Sequence, residues 1–536
     1  MKKLYFISMV CAAMIFVSCS KKATTLESSI PNDAVMVMRF DVKSMISKSE
    51  YNLFENQTVK MLVEMGKTQL NESQKKIFDD FIKNPNSFGV DIKGNTYSFM
   101  NERFMGFLMS VNDAKKILND LKTINPSFES KITQEKGIYS FNQDVLKVSW
   151  NKSKIMFLVN YSKSIFGENQ EQVDYFNLPA EKSIVSDVNY QKFAATNGDF
   201  SLYYAIANYA GMMKNFANMD NKFDNEDGAK MKEMFDKMSA VYENFKGVSF
   251  SMNCNFEKGK IISTAQTLYA TKEDEKKFTE LYDYSDMKLK GEFFKYIPQN
   301  PLFLLATDFD GEKIVAMLDK LGLISIYDEM LATKFDINFD YKALINSIKG
   351  DVMISVNNVN FANNNFTASI SAFAKLKNTD VVKSLLDTIK TKVNKNLPNF
   401  DFGIKDDFFY LVNKGGLVEK ENNLTEKIKE QPAFLYGDLT GLKDMIKPLY
   451  ETNPQVQMFA PIIDKGLSLV ENYESKYIDK NNIEFVCNFT DKKENSLKQI
   501  FSFIDEVVNK AAIMAGSALG GGKKAVENDN DEEEVE

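Results

Sequence analysis

Apolar and polar positions along this chain follow two periods. Short runs rich in Val, Ile, Phe, Tyr and Met, bounded by Asn, Asp, Gly or Pro, predict strands over Val35–Phe40, Thr96–Met100, Phe104–Ser110, Lys154–Asn160, Phe200–Ile206 and Val248–Phe256. Asp351–Val356 and Asn365–Phe373 flank the Asn-rich link FANNN and predict a hairpin. Apolar residues at helical spacing predict helices over Ser73–Lys83, Asp113–Lys122, Ala229–Phe245, Lys272–Asp283, Glu312–Leu321, Asp380–Val393 and Ser496–Met514. Strands in pairs followed by amphipathic helices imply an α+β protein, mainly antiparallel sheet covered by helices on one face.

The pattern recurs. Ile30–Asp41 (IPNDAVMVMRFD) aligns without a gap on Ile297–Asp308 (IPQNPLFLLATD), a proline turn, an apolar run and an aspartate that reads as a helix N-cap. Asp91–Gly94 matches Ser347–Gly350, and FLMSVNDAKKILNDLK from Phe107 resembles FAKLKNTDVVKSLLDTIK from Phe373. Met156–Asn160 matches Phe409–Asn413, the segment from Asp199 matches that from Ala433, and Met252–Phe256 (MNCNF) matches Phe485–Phe489 (FVCNF). Six collinear matches over so long a period imply two tandem related halves, 30–290 and 295–512, each with its own sheet.

Residues 1–19 read as a targeting segment. Lys2 and Lys3 precede an apolar run from Leu4 to Ser18, and Cys19 and a polar Ser-Lys-Lys follow. Fifteen residues are short of the roughly 20 that span a bilayer, so residues 1–18 are expected to be a cleaved signal. The small residue before Cys19 resembles a bacterial lipoprotein signal, which makes Cys19 the expected lipidation site and 19–29 a polar tether. At the other end, 520–536 is Gly-rich and then acidic, a composition that forms no core.

The 536 residues carry 66 Lys+Arg against 74 Asp+Glu. That acidic balance argues against nucleic acid as a partner. Only two cations are arginine, Arg39 and Arg103, which disfavours bidentate anion recognition. Histidine is absent, which removes Ser-His-Asp and Cys-His catalysis and typical zinc and iron sites. Beyond Cys11 and Cys19 only Cys254 and Cys487 remain. Their equivalent places in the two halves make separate buried thiols the first reading and a disulfide the alternative.

The sequence motifs carry little chemistry. Ser149-x-x-Lys152 and Ser73-x-x-Lys76 have Ser/Lys acyl-enzyme spacing but lack companion motifs. The acidic stretch Asp220–Gly228 would place Phe223 and Met234 at calcium-ligand positions, and Asp308–Gly311 would place Ala306 and Met317 there. No metal and no cofactor are expected. Met231, Met234, Phe235, Met238, Tyr242 and Phe245 form a stripe at helical spacing, read as a buried face before a ligand groove. A glycosidase-type carboxylate pair stays open, with no pair singled out.

The start Val17–Lys22 followed by Ile30–Ser49 resembles a family of Bacteroidota lipoproteins, domain of unknown function 4836. The matching positions are Ile30, Pro31, Asp33, Ala34, Val37, Asp41, Ser44, Lys48 and Ser49. The resemblance implies an envelope location and supplies no catalytic residues. The expectation is a non-catalytic binding or scaffold module, membrane-tethered through lipid (palmitate among its chains), on the outer membrane facing the periplasm. Its expected partners are an envelope protein or an apolar ligand. The alternative is a carboxylate-based hydrolase of envelope or dietary polymers.

Overall fold

The structure, a computed structural model, describes residues 26–520 apart from 52–59, 61–63, 65–66, 69, 162–173, 218–225, 282, 284, 325–327, 329–339, 363–364, 394–398, 429–430, 452–456 and 458. Cys19, the signal segment, most of the tether, residues 521–536 and most of the Asp220–Gly228 stretch lie outside the described residues.

The strands are β1 Met36–Phe40, β2 Val90–Asp91, β3 Thr96–Met100, β4 Phe104–Val111, β5 Ile132–Glu135, β6 Ile138–Gln143, β7 Leu146–Trp150, β8 Lys154–Asn160, β9 Phe200–Tyr204, β10 Val248–Glu257, β11 Lys260–Tyr269, β12 Phe303–Asp310, β13 Ile348–Ala362, β14 Asn365–Leu376, β15 Phe400–Lys405, β16 Phe408–Asn413, β17 Ala433–Asp438, β18 Val470–Asp479 and β19 Asn482–Phe489. Eight helices matter below: α1 Val42–Ser49, α2 Glu72–Lys83, α3 Ala114–Ile124, α4 Glu226–Glu243, α5 Lys272–Leu281, α6 Gly311–Lys320, α7 Thr379–Val393 and α8 Ser496–Gly520. Asp41 caps α1 by accepting from Ser44 N, and Asp113 caps α3 by accepting from Lys115 N and Lys116 N.

All strands join one antiparallel row. Its order is β5-β6-β7-β8-β4-β3-β1-β9-β10-β11-β19-β18-β17-β12-β13-β14-β16-β15, with β2 beside β3 on β4. The expectation of a separate sheet in each half is therefore corrected. β11 pairs with β19 from Lys260↔Asn488 to Gln266↔Asn482. Fusion satisfies backbone groups that two free edges would expose.

Alternation along the strands divides the sheet into two faces. One face buries Val37, Tyr97, Phe99, Leu108 and Tyr203 beneath Leu26, Ile30, Tyr175, Phe176, Ile184, Tyr190 and Phe193. Leu304, Ala306, Met353, Phe373, Phe434 and Tyr436 are likewise buried beneath Leu289, Phe293, Phe294, Tyr296, Ile297, Leu424 and Ile428. The covering layer on this face is mostly short turns; the helices expected on one face pack on the other, where Phe278 of α5 lies against Phe250 and Tyr269. Helices cover that opposite face at the two ends of the row as well, where Met109 and Ile155 alternate with Leu108 and Met156, and Phe409 with Phe408. Phe81 of α2 and Ile117 of α3 pack on Phe141, Val148, Trp150 and Ile155, and Val382 and Leu386 of α7 pack on Leu376, Phe402 and Phe409.

Three local expectations change. Asp308 is not a cap: it lies inside β12 and accepts from Lys288 N at 2.8 Å, while Asp310 caps α6. Cys254 on β10 and Cys487 on β19 are the separate free thiols of the first reading, but they lie on either side of β11 and not at matching strand positions. Met231 and Met234 of the α4 stripe are exposed, whereas Ser239 and Val241 are buried.

Candidate functional site

The second face of the sheet is only partly covered. Cross-strand registers place Met105, Leu305, Ile354, Ile483 and Phe485 on it, and all five are exposed large apolar side chains. Exposed apolar positions gathered on one face mark a recognition surface more often than scattered ones do.

In the middle of that face is a trough of about 480 Å³. Phe250 of β10, Ala265 of β11, Ile483 and Phe485 of β19, Leu435 of β17 and Leu305 of β12 line it. A flat sheet would give no such depth. The depth comes from a splay between β17 and β18, which pair only at Tyr436↔Glu474, Gly437↔Tyr473 and Asp438↔Asn472. Beyond Tyr436 the strands part, and side chains take over the ladder. Leu435 N donates to Ser475 Oγ at 2.9 Å, and Tyr477 N donates to Gln431 Oε1 at 2.9 Å. By contrast, β9 and β10 pair without a break from Phe200↔Cys254 to Tyr204↔Phe250. A polar recess of about 600 Å³, lined by Lys427, Glu474, Lys476 and Gln431, shares Phe434, Ser475 and Tyr477 with the trough.

Two other places concentrate titratable groups. A recess of about 310 Å³ is lined by Asp33, Glu102, Lys214, Glu243 and Lys246. Asp33 accepts from Asn101 Nδ2 at 3.0 Å. Crowding by surrounding protein raises the Asp33 pKa, and the Glu102 charge acts in the same direction. Asp33 nevertheless keeps an exposed surface, which limits that effect. Buried Asn101 organises the β3–β4 turn, accepting from Arg103 N and Phe104 N, so Asp33 also anchors that turn.

The second place is a Ser–Lys pair that spacing did not reveal. Lys154 Nζ donates to Ser29 Oγ at 2.5 Å and to Phe176 O at 2.7 Å, and Ser29 Oγ donates to the same carbonyl at 3.0 Å. Both residues are buried, and burial pulls the Lys154 pKa down to about 8. The lysine also lies over the Phe176 ring, 4.6 Å from its centroid. A pair enclosed in this way ties the covering turn to β8; it offers a substrate no approach. The Ser/Lys pairs picked out by spacing lie elsewhere. Ser149 is buried against Ser140 with Lys152 exposed, and Ser73 and Lys76 are exposed on α2. Arg39 is structural too, donating to Thr196 O at 2.6 Å and Ser201 Oγ at 3.1 Å. No group of three or more potential metal-ligating side chains occurs among the described residues.

The molecule is thus a mixed helix and strand protein built on one large antiparallel sheet. A family model described as "Domain of unknown function (DUF4836)" matches residues 26–434, and the chain belongs to that family. No curated protein matches it. Two solved structures, crystal forms III and I of TP0453, align at 11% identity over 46% of this chain and 80% of theirs. Their TM-scores of 0.23 and 0.22 are too low to carry an argument.

Proposed function

We propose that this protein is a Bacteroidota cell-envelope lipoprotein, anchored by lipid on Cys19 to the outer membrane and facing the periplasm, that works as a non-catalytic binding module. The observation carrying the binding role is the apolar trough at the β17–β18 splay, since the recess beside it and the Asp33–Glu102 recess are lined mainly by charged and polar groups. The envelope reading is supported by Lys2, Lys3, the apolar run and Cys19. Intact-mass analysis of membrane-fraction protein tests it: a chain beginning at an acylated Cys19 is expected, and Cys19→Ala should move the protein to the soluble fraction. An intact Met1 or an unmodified thiol at residue 19 would overturn it.

The body is read as a duplicated unit. The order β8-β4-β3-β1-β9-β10-β11 corresponds to β16-β14-β13-β12-β17-β18-β19, run in from opposite ends to the β11–β19 junction. Helices cross reciprocally: Glu275 of α5 pairs with Lys480 of the second half, and Lys498 of α8 pairs with Glu50 of the first.

A second reading, a carboxylate hydrolase, is favoured by the Asp33–Glu102 recess alone. It requires cleavage of envelope or dietary polymers that Asp33→Asn abolishes; an activity that survives this change, or none on either class of polymer, removes it.

A further inference from the structure

The geometry points to the trough as a site for a single unbranched fatty acyl chain, with its polar end at the solvent mouth. This deepens the binding-module reading by naming the ligand class. The volume of about 480 Å³ falls within the range of small-molecule sites. At about 30 Å³ for each water-sized group, it accommodates roughly 16 methylene-sized groups, which is one chain and not the two of a diacyl lipid.

The chemistry of the walls selects hydrocarbon. Phe250, Ala265, Leu305, Leu435, Ile483 and Phe485 supply the apolar surface. Three polar groups of the lining are already engaged, and Ser251, whose Oγ has no hydrogen-bond partner, alternates with Phe250 along β10 and so belongs to the opposite face. Ser475 Oγ accepts from Leu435 N, Asn481 Oδ1 accepts from Tyr269 Oη, and Lys480 Nζ is paired with Glu275. A peptide strand entering the splay would need open backbone donors, and two of them, Leu435 N and Tyr477 N, are held by Ser475 and Gln431. A ligand without hydrogen-bonding demands in its body disturbs none of these bonds, and burying it gains about 25 cal/mol for each Å² of apolar surface.

The opening is also particular to this place in the row. The β9–β10 junction keeps its ladder through five consecutive pairs, while β17–β18 stops after three. Antiparallel pairing therefore does not itself force a recess.

The test is a fluorescence titration of the purified full chain with cis-parinaric acid, followed by displacement with palmitate. Saturable binding that palmitate reverses is expected. Ile483→Lys and Phe485→Gln alter exposed side chains of the trough, so the fold should tolerate both, and each should weaken binding at least tenfold. Ile354→Lys changes an exposed residue of the same face outside the trough and should leave binding unchanged. The idea fails if the natural chain shows no saturable binding, if the two trough variants bind as well as it does, or if Ile354→Lys loses as much. Co-sedimentation with phosphatidylcholine vesicles that Ile354→Lys and Ile483→Lys weaken equally would point to a flat membrane contact and would also overturn it. Cys19 acylation is read by mass on the same preparation, so failure of the ligand assignment and failure of the envelope reading are separable.

Discussion

Lys154→Met is the most informative single perturbation. The Lys154 ammonium is buried, and burial lowers its pKa from the ordinary 10.5 to about 8. Below pH 8 the group is charged in both the folded and unfolded chain, and folding bears the full desolvation cost. At about 1.4 kcal/mol for each tenfold change in proton affinity, that cost is roughly 3 kcal/mol. Between pH 8 and 10.5 the unfolded chain holds the proton that the folded chain has released. Stability from this group therefore rises with pH across that window. Met has no proton to lose, and Phe176 O still accepts from Ser29 Oγ after the change. The assay is urea unfolding followed by the fluorescence of Trp150, the single tryptophan, whose buried indole donates to Ala114 O. Unfolding free energies of the natural chain and Lys154→Met are compared at pH 7 and pH 10. Other groups titrate in both proteins and cancel in the difference. The natural chain should gain about 2 kcal/mol relative to the variant over that interval. Parallel pH curves would refute the reasoning, because Lys154 would then sit in an environment as wet as the unfolded chain.

Three further changes test the packing. A Cβ on Gly311 would lie 1.7 Å from Ile345 O, a backbone atom that cannot swing away, so Gly311→Ala should cost about 2–4 kcal/mol in urea unfolding; a loss under 1 kcal/mol would show that the start of α6 can move away from Ile345 at little cost. Ser251 Oγ is buried without a hydrogen-bond partner, so Ser251→Ala should be neutral or stabilising by up to about 1 kcal/mol, and a clear loss of stability would reveal a partner. Asp113→Ala removes the cap that accepts from Lys115 N and Lys116 N, and thermal unfolding should show a loss of about 1 kcal/mol; no loss would mean that α3 is held by Ile117 and its neighbours alone.

Much of the local structure was legible from residue order. Thr96–Met100 and Lys154–Asn160 form strands over the expected bounds, and the hairpin across FANNN forms between β13 and β14. The helices expected from 73, 113, 272, 312 and 380 start within one residue of those positions. These features follow from neighbours in the chain: period 2 or 3.6, a capping aspartate, a turn of asparagines. Even here Asp308 and Asp310 could not be told apart, because either can cap and only the length of β12 decides.

The candidate site was not legible. Its walls come from β10, β11, β12, β17, β18 and β19, residues as far apart as Phe250 and Phe485. Alternation says which residues share a face of one strand, but not which strand lies beside it. That choice depends on long-range pairing, which is why β11–β19 joined two expected sheets into one and why Cys254 and Cys487 came to lie on non-equivalent strands. Composition alone set the chemistry that is unavailable, since a chain without histidine cannot place one anywhere. Tertiary structure alone decided where β17 and β18 part, because that opening belongs to the distance between two strands and to neither sequence.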